Sequence, residues 1–320
     1  MATAEQIKSL IRSHLSDEDE RFYSLALQVA AHEAQQGHTG LAHDIREIVD
    51  KSRKTRGSNT LLKFPQDLAG LVFSETPDTP LSSLVVPDSF RERIRRIIHE
   101  DRQRDKLKKH GLSNRRKIIL SGPPGTGKTF TARILAHELR LPLHTIQVDK
   151  LVTKFMGETS AKLRQIFDLI RDQKGVYLFD EFDAIGGDRS LDNDVGEMRR
   201  VLNALLQFIE QDISDSLIVA ATNNPALLDR ALFRRFDDVL HYDLPDEASR
   251  RSLIENVLGC FQGRIGWKSV LSECATLSHA EIDHACRDAI KEAILSDQDK
   301  VQTKGLLRTL RERRQTHERT

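Results

Sequence analysis

The chain has 320 residues, of which 30% are charged and 38% hydrophobic, and its formal net charge is +1. This length allows two or three domains with a sizeable core, and the charge balance gives no overall case for binding nucleic acid or an anionic membrane. The three cysteines lack a CxxC spacing. No signal-peptide pattern begins the chain, and no apolar run approaches the roughly 18 residues of a membrane span. We therefore expect a cytoplasmic protein with reduced thiols and no membrane partner.

The first part of the chain is predicted to be helical. Residues 1–56 are expected to form a small helical docking module, because apolar side chains recur at helical spacing over residues 22–30. Residues 57–82 are predicted to be a linker, since three prolines interrupt any helix there. A basic amphipathic helix is expected next, over about residues 89–109.

Strands and helices alternate from Arg116 onward, and residues 83–245 are predicted to form an α/β domain. This alternation favours a mostly parallel sheet covered by helices on both faces. The pattern is mostly helical afterwards, so residues 246–320 are predicted to form a C-terminal helical lid with a basic tail. The predicted strands lie at 117–120, 143–148, 176–179, 217–221 and 239–244, with helices near 128–139, 160–172 and 196–210.

The most informative motif follows the first of these strands. It has the spacing of the GxxxxGK[ST] phosphate-binding loop and lies between an apolar strand and a helix, as that loop requires. Its glycines let several backbone N–H groups point at one phosphate chain. We expect Lys128 to reach the β- and γ-phosphates and the Thr129 hydroxyl to bind Mg²⁺, so the motif predicts a nucleoside triphosphate with Mg²⁺. Its residues are Gly122, Pro123, Pro124, Gly125, Thr126, Gly127, Lys128 and Thr129.

Two acids follow a later apolar strand. Asp180 is placed to hold Mg²⁺, and Glu181 is placed to orient and deprotonate an attacking water. Asn223 follows the next strand, where its side chain can bond to the γ-phosphate or to the water. An Asx turn before Pro225 is the alternative for Asn223. Together with the phosphate loop, these residues predict hydrolysis of the bound triphosphate.

Residues from about 84 to 295 resemble an AAA-family ATPase module, with the family's motifs in the family's order. The resemblance implies a five-stranded α/β domain with a helical lid, and ATP and Mg²⁺ as cofactors. It also implies a homo-oligomeric ring, usually a hexamer, that binds nucleotide between neighbouring subunits. The motifs are GPPGTGKT (122–129), FMGET (155–159), VYLFDE (176–181), ATNNP (221–225), LLDRALFRRFD (227–237) and LPD (244–246).

The resemblance also implies roles for two arginines. Arg234 and Arg235 lie in a segment that is similar to the family's arginine finger, which would act on the ATP of the neighbouring subunit. The two are adjacent, whereas many relatives separate them, so the sequence does not decide which is the finger. Salt bridges to Asp237 and Asp238 are the alternative. In the lid, His279 stands where the similar SGADI motif of the family has glycine, and we assign no sensor arginine there.

A pore loop is the last role that the resemblance implies. Phe155, Met156 and Gly157 match the loop that lines the central pore of AAA unfoldases and grips a polypeptide. An aromatic ring offers contact area that tolerates any sequence, methionine adapts to varied side chains, and glycine allows movement. The alternative is an apolar pair buried at the start of the next helix. The leading hypothesis is therefore a ring that threads or remodels a protein substrate, with residues 186–196 as a candidate second pore loop.

Two further functions stay open on the sequence. One is a regulatory switch that holds a partner effector and releases or activates it on hydrolysis. Residues 20–38 and 234–238 resemble compact bacterial AAA proteins encoded beside subtilisin-like serine proteases, some in phage-defence gene pairs, so the effector would be a separately encoded protease. The other is a nucleic-acid motor or loader, suggested by basic residues at 91–109 and 300–320. We rank it last, because no nucleic-acid-binding module is visible.

Overall fold

The chain divides into two compact units, Met1–Lys63 and Phe64–Thr320. A computed structural model describes residues 70–154, 158–186, 195–228 and 230–317, together with Leu68 and short stretches between residues 26 and 49. In the first unit the described residues are mostly helical, and Ala26 and Val49 form a small buried cluster. Most of the predicted docking module at 1–56 lies outside the described residues.

A six-stranded sheet organises the second unit. Its strands are β1 (Val72–Glu75), β2 (Lys117–Ser121), β3 (Leu143–Gln147), β4 (Val176–Asp180), β5 (Leu217–Thr222) and β6 (Asp238–His241). Their order in the sheet is β1-β3-β4-β5-β2-β6, and β2 to β6 pair in parallel. Strands β2 and β5 bury every residue, as expected for a parallel sheet with both faces covered. The predicted α/β class and its five parallel strands are confirmed.

The sheet contains one strand more than the sequence predicts. Strand β1 lies inside segment 57–82, for which a linker is predicted, so part of that segment belongs to the sheet. It runs antiparallel to β3, with Val72 opposite Ile146 and Glu75 opposite Leu143. Four residues with one buried side chain carry too little periodicity to indicate a strand. Pairing with β3, and not local sequence, therefore establishes β1.

The helices connect the strands and continue beyond them. They are α1 (Asp88–Arg102), α2 (Arg104–Lys109), α3 (Lys128–Leu139), α4 (Val148–Lys154), α5 (Thr159–Asp172), α6 (Val195–Gln211), α7 (Arg230–Phe233), α8 (Glu247–Leu258), α9 (Trp267–Glu273), α10 (His279–Leu295) and α11 (Thr303–His317). Short 3-10 helices occupy Leu81–Ser83, Phe182–Gly186, Pro225–Leu227 and Gly259–Phe261. Within the described ranges, no helix has the length and apolarity that crossing a membrane requires.

The sheet separates two hydrophobic cores. Successive residues of a strand point to opposite faces, so Ile118 and Leu120 pack with α1 and α3, while Ile119 packs with α5 and α6. Helices on both faces fix the sheet in place, and the carboxyl ends of β2, β4 and β5 meet at one edge. In open α/β sheets, ligands bind at this edge.

The helices after β6 form the lid, which has a hydrophobic core of its own. Asp246 caps the first lid helix by accepting a hydrogen bond from the backbone N–H of Ser249 at 2.8 Å. A capping box of Ser278 and Glu281 begins α10. Cys274 is one of the buried residues of this core, and all three cysteines are free thiols.

Candidate active site

The loop at 122–129 joins the carboxyl end of β2 to the first turn of α3. Gly122, Gly125 and Gly127 have φ values of +145°, +72° and +105°, a region that other residues rarely adopt. A Cβ atom on Gly122 would lie 2.2 Å from the carbonyl oxygen of Tyr242. The path of the backbone therefore requires glycine, most strictly at Gly122.

The side chain of Thr126 helps to hold the turn between these glycines. Thr126 is buried, and its hydroxyl donates a hydrogen bond to the carbonyl oxygen of Pro123 at 2.8 Å. Pro124 lies at the exposed part of the turn. The hydrogen bond fixes the loop in its curved form, in which backbone groups can surround a phosphate.

Lys128, the first residue of α3, is buried against the loop. Its Nζ donates hydrogen bonds to the carbonyl oxygens of Gly122 and Pro123, at 2.7 and 2.8 Å. Burial lowers the pKa of this ammonium group, and the carboxylates of Asp180 and Asp183 oppose the shift. The ammonium group is thus directed into the loop, where phosphate oxygens can replace the two carbonyl oxygens.

The two residues predicted to hold Mg²⁺ lie next to each other. The hydroxyl of Thr129 donates a hydrogen bond to Oδ2 of Asp180 at 3.2 Å, across the gap between α3 and β4. Mg²⁺ prefers hard oxygen ligands and commonly takes one or two carboxylates together with substrate phosphates and water. A hydroxyl and a carboxylate beside a phosphate loop fit this ion.

Glu181 follows β4 in a left-handed backbone conformation, with φ of +53°. Such a conformation is uncommon outside glycine. The backbone N–H of Glu181 donates a hydrogen bond to Oδ1 of Asp180 at 3.0 Å. Partial desolvation raises the pKa of the Glu181 carboxyl group. Neighbouring carboxylates raise it further, those of Asp149, Asp180 and Asp183. An exposed carboxylate with a raised pKa is suited to accept a proton.

Asn223 follows β5, at the same edge of the sheet. Its backbone N–H donates to Oδ1 of Asp183 at 3.1 Å. Asn224, not Asn223, makes the local turn, since its side-chain oxygen accepts from the backbone N–H of Ala226 at 3.2 Å. The turn therefore does not use the side chain of Asn223.

Asp183 is a site residue that the sequence analysis misses. It connects the 3-10 helix after β4 to the residue after β5. Its charge also raises the pKa of Glu181 and opposes the lowering of the pKa of Lys128. A third acid three positions after Asp180 is the signal that could have indicated it.

Arg234 and Arg235 differ in their surroundings. Arg235 donates from Nη1 to a carboxylate oxygen of Glu210, near the end of α6. Arg234 is exposed. In the described part of the chain, no hydrogen bond or ion pair joins either arginine to the phosphate loop. Among the described residues, the structure thus shows no contact between these two arginines and the other predicted site residues of the same chain.

The acids next to the two arginines have other partners. Asp237 accepts hydrogen bonds from the backbone N–H groups of Arg116 and Lys117, at 2.8 and 2.9 Å. Asp238 pairs with Arg93 on α1. These contacts assign both acids to the edge of the sheet, so they do not support the alternative of local salt bridges to the two arginines.

The predicted pore loop lies outside the described residues. Phe155, Met156 and Gly157 come between the end of α4 and the start of α5. Of the candidate second pore loop at 186–196, residues 187–194 also lie outside them, and α6 begins at Val195. The roles proposed for these segments therefore stay predictions.

Comparison with known proteins agrees with the geometry of the site. A family profile described as "ATPase family associated with various cellular activities (AAA)" matches residues 118–244. A protein of Sinorhizobium fredii described as the uncharacterized AAA family ATPase y4kL is 33% identical over 326 residues, covering 98% of this chain and 96% of that protein. This similarity spans both units of the chain.

More distant relatives share the nucleotide-binding part. A proteasome-activating nucleotidase of Methanoculleus marisnigri is 30% identical, covering 77% of this chain and 62% of that protein. The ATP-dependent zinc metalloprotease FtsH 1 of Sphaerobacter thermophilus is 31% identical, covering 65% of this chain but 33% of that protein. This chain therefore spans less than two thirds of either relative. The crystal structure of the FIGL-1 AAA domain has the same fold, with a TM-score of 0.62 and 22% identity over 79% of this chain and 91% of that one.

Proposed function

Because this chain belongs to the AAA family of ATPases, which hydrolyse ATP with Mg²⁺, we propose that it is one subunit of a hexameric ring that threads or remodels a protein. One observation carries the proposal. Phosphate-binding, magnesium-binding and base residues converge at one edge of the sheet, whereas exposed Arg234 makes no described contact with that edge. A neighbouring copy is the partner that would bring such an arginine to the phosphates.

The residues of one chain provide most of the proposed chemistry. Lys128 would bind the β- and γ-phosphates, and Thr129 and Asp180 would hold Mg²⁺, which would supply positive charge to the phosphate oxygens. Glu181 takes a proton from water as the water oxygen bonds to the γ-phosphorus. The bond from that phosphorus to the β,γ-bridging oxygen breaks, and ADP and phosphate result. Asn223 would orient the water or the γ-phosphate.

Arg234 is the proposed finger. Arg235 is held by Glu210 and would position the segment. We therefore expect Arg234→Ala to lower the ATPase rate by about 10³-fold or more, because it removes charge from the transition state. Arg235→Ala should lower the ATPase rate clearly less, and neither variant should change the affinity for ADP. Steady-state ATPase rates of the two variants test this assignment, and equal losses would contradict it.

Relatives and motif both support a protein substrate. Two relatives are named as a proteasome activator and as a protease, functions that act on proteins. The loop of Phe155, Met156 and Gly157 is the proposed contact with that substrate.

The described arginines of α1 do not favour a nucleic-acid partner. Arg91 donates a hydrogen bond to the carbonyl oxygen of Leu84, and others pair with acids of the same chain.

A second candidate is the regulatory switch. The compact unit Met1–Lys63 precedes the ATPase unit in the sequence. It favours the regulatory switch, since a small compact unit is suited to dock a partner effector. A separately encoded protease in the bacterial cytoplasm, as in a phage-defence pair, is the effector proposed here. Both candidates use the same ATPase chemistry and differ in whether a polypeptide enters the pore.

Capture by a Glu181→Gln variant distinguishes the two candidates. This variant should bind ATP, lose hydrolysis and retain its protein substrate during purification from the native host. Adding Phe155→Ala should leave ATP binding intact and release that substrate if it is threaded. A partner that stays bound after Phe155→Ala would favour the switch, and hydrolysis at the wild-type rate by Glu181→Gln would refute the assigned base.

A further inference from the structure

A pair of buried hydroxyl groups lies beside the phosphate loop. Tyr242 is the residue after β6, and its hydroxyl group is 2.5 Å from Oγ1 of Thr131, near the start of α3. Both residues are buried. Two apolar side chains of similar shape could fill the same space with little change in stability, because burying polar groups costs free energy even when they are paired. Core packing alone therefore does not account for this pair.

The backbone of Tyr242 contacts the start of the phosphate loop. Its N–H donates a hydrogen bond to the carbonyl oxygen of Ser121, the last residue of β2, at 2.7 Å. Its carbonyl oxygen is so close to Gly122 that a Cβ atom on this glycine would come within 2.2 Å of it. The preceding residue, His241, also bonds through its ring Nδ1 to the hydroxyl group of Ser121, at 2.6 Å. The end of β6 thus fixes the position at which the loop begins.

The hydroxyl group of Tyr242 reaches the other end of the loop through Thr131. The backbone N–H of Thr131 donates to the carbonyl oxygen of Gly127, the last glycine of the loop, at 2.9 Å. Thr131 also belongs to the turn of α3 that begins with Lys128 and Thr129. A shift of this turn relative to β2 would move both side chains with respect to the phosphates. Tyr242 therefore connects the start of the loop to the turn that follows its end.

We propose that Tyr242 is a positioning residue for nucleotide binding, which holds the two ends of the phosphate loop at a fixed separation through its hydrogen bond with Thr131. A loop that is held in its binding form beforehand loses less conformational freedom when phosphate binds, so the affinity for nucleotide is higher. This inference rests on the assignment of residues 122–129 as the nucleotide site in the proposed function.

Tyr242→Phe removes the hydroxyl group and little else. The ring packs edge-on against Phe90 of α1, with ring centroids 4.5 Å apart, and the backbone contacts with Ser121 and Gly122 do not involve the hydroxyl group. Calorimetric titration of the full chain with Mg²⁺-ADP should show an affinity about three- to tenfold weaker than that of the wild type, which is the value of one hydrogen bond. An affinity equal to that of the wild type would overturn the proposal.

Tyr177→Phe is the matched control. Tyr177 is a buried tyrosine of β4, and its hydroxyl group donates to the carbonyl oxygens of Leu169 and Gln173, at 3.2 and 2.8 Å. These partners belong to the end of α5 and not to the phosphate loop. The control should lower the thermal unfolding midpoint and keep the wild-type affinity for ADP. An equal loss of ADP affinity in both variants would trace the loss to general destabilisation and overturn the proposal.

A double variant separates positioning from stability. Thr131→Val leaves the Tyr242 hydroxyl group buried without this partner, so it should lower both the unfolding midpoint and the affinity for ADP. Thr131→Val combined with Tyr242→Phe removes both hydroxyl groups, so the midpoint should return towards that of the wild type. The affinity for ADP should stay about three- to tenfold weaker. Recovery of ADP affinity together with the midpoint would show that the pair only supports the fold, and would overturn the proposal.

Lys128→Ala tests the premise separately. This variant should weaken ADP binding by about tenfold or more, because a charged donor to the phosphates is lost. Wild-type affinity in Lys128→Ala would refute the assigned nucleotide site, and the role of Tyr242 with it. A loss in Lys128→Ala without a loss in Tyr242→Phe would leave the nucleotide site in place and overturn only the positioning role.

Discussion

At the scale of single residues, the site depends on carboxylates held close together. Glu181 adopts a strained backbone conformation, and its backbone N–H bonds to Asp180. Asp183 binds the backbone of Asn223 and so connects the ends of two strands. The negative charges around Glu181 make its carboxylate a stronger base, which suits removal of a proton from water.

The pH dependence of hydrolysis tests this electrostatic account. The base works when deprotonated, so activity falls as pH drops through its pKa, and a raised pKa moves this acid limb to higher pH. Asp149 is the carboxylate that raises the pKa of Glu181 most, after desolvation. Asp149→Asn should therefore shift the acid limb of kcat to lower pH. Asp105→Asn, an exposed acid on α2, should leave the limb in place, and an unshifted limb in Asp149→Asn would contradict the account.

At the scale of elements, hydrophobic patterns predict what is local. Strands β2, β4 and β5 contain continuous apolar runs, and helices α3, α5 and α6 fall where periodicity places them. The predicted helix at 89–109 is instead two helices, since Gln103 adopts a non-helical conformation with ψ of 15°. Strand β1 depends on pairing with β3, and contacts such as Thr129 with Asp180 depend on the sheet order. Local pattern carries none of this long-range information.

The packing of the phosphate loop against the end of β6 yields a stability prediction. A methyl group on Gly122 would collide with backbone atoms of Tyr242, whereas one on Gly127 would meet nothing within 4 Å. Both positions have positive φ, so both alanine variants are strained. Gly122→Ala should lower the free energy of unfolding by about 3 kcal/mol or more, and Gly127→Ala by about 1 kcal/mol. Urea denaturation measures both, and equal losses would argue against the close contact at Gly122.

At the scale of the whole molecule, the chain carries most of a nucleotide site and also an exposed arginine. Lys128, Thr129, Asp180 and Glu181 converge on the carboxyl edge of the sheet. Arg234 lies after α7 without a described contact to that edge. The motifs indicated both sets of residues, but sequence alone left open which arginine is exposed. The central claim is that one subunit's site is completed by Arg234 of the next subunit.

Mixing two inactive variants tests this claim most directly. Glu181→Gln lacks the base but keeps Arg234, and Arg234→Ala lacks the finger but keeps the base. In a mixed ring, an intact base and an intact finger meet wherever the two variants adjoin in the right order. We predict that each variant alone is nearly inactive and that their mixture, shown by tagged co-purification to assemble together, regains ATPase activity. A co-assembled mixture that stays as inactive as its components would contradict completion of the site by the neighbouring subunit.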